Sequence, residues 1–166
     1  MLDVATWFAV FHTIQLVLIG LVALSVLLIA DAFGLANTWA IRLGLGMFLV
    51  FFSAYDTLAG IGSGLAMWKA RDLSPIQQEG VLAAVQNWPS LGPPFALSIL
   101  GTLGWVIAVG TLAIAAYRQR TRRGVWIALA LAAVLLLGGH PFPAGTLALG
   151  SLFVAACLLE RSSRRQ

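Results

Sequence analysis

The sequence predicts an all-α fold, a polytopic transmembrane helical bundle of five spans with the N-terminus outside and the C-terminus inside. Three observations carry this. First, 60% of the 166 residues are hydrophobic and 10% charged, and the mean hydropathy is +0.94. Soluble domains run near ~45–50% apolar and ~25% charged, and a chain this short has too little interior to hide such an excess. Second, the apolar residues gather into runs of helical length. Third, seven of the ten cations form two short groups beside those runs, Arg118, Arg120, Arg122 and Arg123, then Arg161, Arg164 and Arg165. Arginines so placed mark the cytoplasmic side of a membrane.

The first span is expected over about 6–30, long enough to cross ~30 Å of hydrocarbon with some tilt. Asp3 precedes it and no Lys or Arg does, the wrong flank for a cleavable signal peptide, so it is expected to remain in the mature chain. Asp31, Gly34 and Asn37 mark a turn. The second span covers about 39–68, interrupted by Arg42 and Asp56. The third covers about 94–117 and opens on Pro93-Pro94, a natural helix start.

The last two spans, about 124–138 and 144–160, are short. Their uninterrupted apolar stretches, Val125–Leu137 and Ala144–Leu159, reach only ~20 Å and ~24 Å at 1.5 Å per residue. Gly138-Gly139-His140-Pro141-Phe142-Pro143 between them cannot continue either helix. The turn is therefore expected to lie below the outer membrane surface, its backbone shielded by protein.

Between spans two and three, residues 74–88 are too polar to cross. Ser74-Pro75-Ile76-Gln77 reads as a helix start, with Ser as N-cap, Pro at N1 and Gln at N3. Ile76, Val81, Leu82, Val85 and Trp88 then recur at helical spacing opposite Gln77, Gln78, Glu79 and Gln86. This pattern predicts an amphipathic helix lying in the interface, either a connector over the bundle end or a lid over a site. Putting both arginine groups inside requires an odd number of spans after an outside N-terminus, and five spans satisfy it. No internal repeat is evident, which leaves an inverted-repeat transporter unsupported. The cations are not interleaved with exposed aromatics, so no nucleic-acid partner is expected. A single cysteine, Cys157, excludes an internal disulfide and a Cys-based metal cluster.

Asp56 is the most informative residue. It stands near the middle of span two with no Lys or Arg at its depth. An aspartate there costs about 2.5–3.5 kcal/mol on insertion scales, so it is expected to face the bundle interior and find polar partners. Ser53, Tyr55 and Thr57 are nearby, and His12 or His140 could reach it across the bundle. It is either a proton relay, cation site or ligand anchor, or a hydrogen-bonded tie between helices. His12 has Gln15 at i+3 on the same helix face, and His140 opens the Pro-Phe-Pro turn. Two His and a carboxylate could hold a transition metal and two His alone a haem, but no spacing motif supports a metal. Which cofactor the chain takes, if any, stays open. Gly60, Gly62 and Gly64, with Gly101 and Gly104, allow close helix approach or loosen a helix beside a ligand. Trp7, Trp39, Trp68, Trp88 and Trp126 fall near the expected interfaces as aromatic anchors, while Trp105 is deeper and could line a pocket. No nucleophile elbow, phosphate loop or dinucleotide fingerprint occurs.

His12-Thr13-Ile14-Gln15-Leu16, the stretch Ser53–Gly64, Leu103-Gly104-Trp105 and His140-Pro141-Phe142-Pro143 together resemble a family of small bacterial multi-pass membrane proteins. The resemblance covers nearly the whole chain. It implies a helical membrane fold and no activity, and it groups His12, Tyr55, Asp56 and His140 in one pattern; the expected location is the plasma (inner) membrane. Three functions follow as expectations. The first is binding or transport of a small cation or lipophilic ligand in an outward-facing crevice lined by His12, Gln15, Tyr55, Asp56, Trp105 and His140. The second is an accessory subunit of a larger membrane complex, or a homo-oligomer. The third is an intramembrane enzyme or haem protein using the two His.

Overall fold

A computed structural model describes residues 2–90, 92–138 and 143–163. Every element among them is a helix. Four helices are long and apolar enough to cross a membrane, which makes the chain a helical protein compatible with a bilayer.

Helix α1 spans Ala5–Ala32 after a single 3-10 turn at Leu2–Val4. It ends because Gly34 adopts φ +69°, a left-handed conformation that costs glycine nothing. The Leu35 N–H then reaches back to the Ala30 carbonyl and the Gly34 N–H to that of Asp31, both at 2.8 Å. This closure satisfies carbonyls that the helix end would otherwise leave unpaired.

Helix α2 is a continuous helical run over Trp39–Ala70. It is not uniform. Ordinary α-turns at Trp39–Met47, Ser53–Tyr55 and Ser63–Ala70 alternate with two wide π-turns, Phe48–Phe52 and Asp56–Gly62. Helix α3, Pro75–Asn87, starts as its sequence predicts. Ser74 and Gln77 form the reciprocal capping box, and the Ser74 N–H donates to Gln77 Oε1 at 3.1 Å. Gln78 Nε2 donates to the Leu73 carbonyl at 3.0 Å, tying the helix to the turn before it. Val81, Leu82 and Val85 pack, whereas Ile76 is exposed and Trp88 partly so.

Helix α4, Gly92–Arg118, begins two residues earlier than the third expected span. It ends in the same closure as α1, with Thr121 N–H on the Ala116 carbonyl and Arg120 N–H on that of Tyr117. Here the left-handed position is held by Arg120, at φ 53°. Helix α5, Arg123–Leu135, continues as a 3-10 turn to Gly138, and α6 runs over Ala144–Ser163. Together α5 and its 3-10 turn remain shorter than the four spanning helices. The expected Gly138–Pro143 turn, with His140, lies mostly outside the described residues.

The chain divides into two compact units, Met1–Val22 with Leu49–Gly101, and Ala23–Phe48 with Thr102–Gln166. In the first, Ala5, Met67 and Val85 form a buried cluster on which Phe8, Val81 and Leu82 pack. Gly64 lies so close to α1 that a Cβ there would come within 2.8 Å of the Ala9 backbone nitrogen. In the second, Gly44 and Gly104 face each other. A Cβ on Gly44 would meet the Gly104 carbonyl oxygen at 2.6 Å, and one on Gly104 would meet the Gly44 oxygen at 2.5 Å. Such backbone-to-backbone approach is how apolar helices gain packing energy where lipid removes the hydrophobic incentive to associate. α5 and α6 run antiparallel, with Gly138 beside Ala144 at one end and Gly124 beside Leu158 at the other.

Candidate functional site

The interior of the first unit brings His12 and Asp56 together. On α1, His12 Nδ1 lies 2.8 Å from the carbonyl oxygen of Phe8, one turn back. A carbonyl can only accept, so Nδ1 carries the hydrogen and Nε2 is left to face away from the helix. Phe8 and Phe11 flank the imidazole, with ring centroids at 4.2 Å and 5.5 Å. Gly60 of α2 provides the space, since any Cβ there would overlap the His12 ring.

Asp56 opens the second π-turn and is 1% exposed. Its Oδ1 stands 3.9 Å from His12 Nε2. That is ion-pair range but too long for a direct hydrogen bond. Its Oδ2 has no hydrogen-bond partner among the described residues. Ser63, which begins the α-turn after the π-turn, is equally buried, and its Oγ also lacks a partner there. Buried polar atoms are nearly always satisfied, so two such atoms in one unit point to a function or to something bound.

The chemistry follows from the tautomer. With Nδ1–H committed to Phe8, a neutral His12 turns a bare lone pair toward the carboxyl group. Two acceptors would then oppose each other in an apolar interior. One proton on either group, or a small cation between them, removes the conflict.

The other expected site residues divide. Gln15 is buried on α1, one turn beyond His12. Tyr55 is half-buried, and its ring centroid is 6.0 Å from that of Phe52. Thr57 donates its hydroxyl to the Ser53 carbonyl of its own helix at 2.8 Å, so His12 rather than Thr57 approaches Asp56. Trp105 belongs to the second unit. It is buried there against Phe48 and donates its indole N–H to the Ala132 carbonyl at 2.8 Å. His140 lies outside the described residues. Among the described residues no group of three or more His, Cys, Asp or Glu could hold a metal ion. Sequence reasoning missed Ser63 and the π-turns. The run Gly62-Ser63-Gly64 was the available signal for Ser63, because flanking glycines let a hydroxyl sit deep between helices.

Compared with protein-family models, curated proteins and solved structures, the chain matches none of them.

Proposed function

We propose that this chain is a five-span protein of the bacterial inner membrane that binds a small cation, the proton foremost, at the His12–Asp56 pair. The N-terminus lies outside, the C-terminus inside, and α3 rests in the outer interface. Four long apolar helices support the membrane setting. The arginines of the α4–α5 turn and the C-terminal segment support the orientation. α5 and α6 serve as two short spans joined by a recessed turn. His12 lies two turns from the start of α1, which together with an outside N-terminus supports a crevice toward the outer side.

One observation carries the cation reading. His12 Nδ1 is fixed on the Phe8 carbonyl while Nε2 faces a fully buried carboxyl at 3.9 Å. A pair built only as a tie between helices is expected to close to hydrogen-bond distance. This one leaves a gap and a carboxyl oxygen with no partner among the described residues.

The test is infrared difference spectroscopy of the protein in lipid nanodiscs across a pH titration. A protonated-carboxyl band should titrate in the wild type, vanish in Asp56→Asn and move in midpoint in His12→Gln. Repeating the titration with added sodium, potassium or zinc ions identifies any cation that competes with the proton. A titrating band that survives Asp56→Asn unchanged would sink the proposal. Cysteine labelling at Ser90 and Ser163 tests the orientation, and labelling of Ser163 from outside would overturn it.

A further inference from the structure

We infer that the turn between α4 and α5 binds the headgroup of an anionic phospholipid. The inference rests on the membrane setting proposed above and is independent of the His12–Asp56 reading.

Four guanidinium groups, those of Arg118, Arg120, Arg122 and Arg123, crowd into six residues of chain, and all four residues are exposed. None has an ion-pair partner among the described residues. The antiparallel α5–α6 pair, fixed where Gly124 meets Leu158, brings Arg161 to the same end of the unit. This much unneutralised positive charge repels itself unless an anion answers it.

The backbone gives a second, independent indication. Arg120 holds the left-handed position of the α4 closure, which α1 fills with Gly34 in an otherwise identical arrangement. A side chain in that conformation costs roughly 1–2 kcal/mol that glycine avoids. The same chain thus uses glycine at one end and accepts strain for a guanidinium at the other, as residues held for function do. Thr121 stiffens the turn, donating its hydroxyl and its N–H to the one Ala116 carbonyl at 2.9 Å and 3.1 Å.

What lies below the arginines selects a lipid over a free anion. Tyr117 and Trp126 sit against each other edge-on with centroids 5.4 Å apart, and Tyr117 is exposed. Such rings settle at the glycerol level of a bilayer. Ile114, one turn deeper on α4, and Ile127, the residue after Trp126 on α5, are exposed apolar side chains. Going down the surface, the order is cation, aromatic, aliphatic, matching the phosphate, glycerol and acyl chain of one phospholipid. Clustered arginines beside a span recognise anionic headgroups by this charge complementarity. Arginine also pairs with phosphate oxygens through two parallel N–H donors, which a point charge cannot do.

The experiment uses the full chain in nanodiscs of equal phosphatidylglycerol and phosphatidylcholine, read by native mass spectrometry of the lipids retained on release. Flotation with vesicles first establishes insertion for every variant, so failure of the membrane setting is seen separately. Wild type should retain phosphatidylglycerol in preference to phosphatidylcholine, and added salt should erode the preference. Each arginine removed should weaken retention about fivefold at low ionic strength, on the order of a hundredfold for R120Q/R122Q/R123Q together. The corresponding triple lysine variant keeps the charge and should keep most of the preference. Equal retention of the two lipids by wild type, or a preference unchanged in the glutamine variant, overturns the inference. So does loss of preference in the lysine variant to the glutamine level. Displacement of the lipid by excess inorganic phosphate would reassign the surface to a free anion and overturn it as well.

Discussion

In the second unit Trp105 is buried and its only polar side-chain atom donates to the Ala132 carbonyl at 2.8 Å. In the first unit Asp56 is buried to the same extent, yet one of its oxygens stops 3.9 Å short of His12 and the other meets no partner among the described residues. The helices differ in the same sense. Gly44 and Gly104 let α2 and α4 touch backbone to backbone through ordinary α-turns, whereas Gly60 makes room for an imidazole inside a π-turn. The buried contact of the second unit is limited by space, and its buried indole N–H is settled. The first is limited by charge, and holds polar capacity in reserve. Local rules obeyed in one place and broken in another mark where a protein has kept chemistry at the expense of packing.

The largest expected effect breaks the space-limited side. Gly104→Leu drives a side chain into the α2 backbone and should cost at least about 3 kcal/mol, at the top of the range for overpacking. Thermal unfolding in detergent should show it, and an unchanged midpoint would refute the backbone contact. On the charge-limited side, Gly60→Ala drives a methyl group into the His12 ring and its Cβ, so both the ring and the local α1 backbone must give. We expect about 1–2 kcal/mol, together with a shifted titration of the His12–Asp56 pair in infrared spectra. A stability loss without that shift would separate Gly60 from the pair.

Trp105→Phe keeps an aromatic ring against Phe48, removes one hydrogen bond and leaves part of the buried indole's space empty. It should lose about 1–2 kcal/mol and leave the infrared titration of the first unit as in wild type. Arg120→Gly is the smallest change and has the opposite sign. It relieves a left-handed arginine and should raise stability by roughly 0.5–1 kcal/mol, seen as a modest rise in melting temperature. A fall would mean that Arg120 makes a stabilising contact greater than its strain.

What the sequence made legible was local. The apolar runs and the Ser74–Gln77 start can be read because hydropathy and capping act within a few residues of chain. Asp56 could be nominated for the same reason, since a lone carboxyl in an apolar run is costly wherever it lies. The approach of His12 to Asp56 was one option among several, because no local rule pairs residues on different helices. Wide turns leave no trace in hydropathy, which reports composition and not which carbonyl an amide reaches. Arg120 was invisible as a helix terminator because its residue type argues against the conformation it adopts.

The two π-turns of α2 also bear on how such a helix can change over generations. A π-turn holds one residue more than an α-turn, so each resembles the scar of a single-residue insertion absorbed without breaking the helix. Deleting one residue within Asp56–Gly62 should restore ordinary turns and leave the residues on either side in phase, because the wide turn already holds the extra residue. Elsewhere in a membrane helix the same deletion would rotate one side by about 100° relative to the other and turn a packed face toward lipid. Gaps of one residue in this segment of α2 are therefore what an alignment of diverged copies should contain, with Asp56 kept in phase with His12 on whichever side the gap falls.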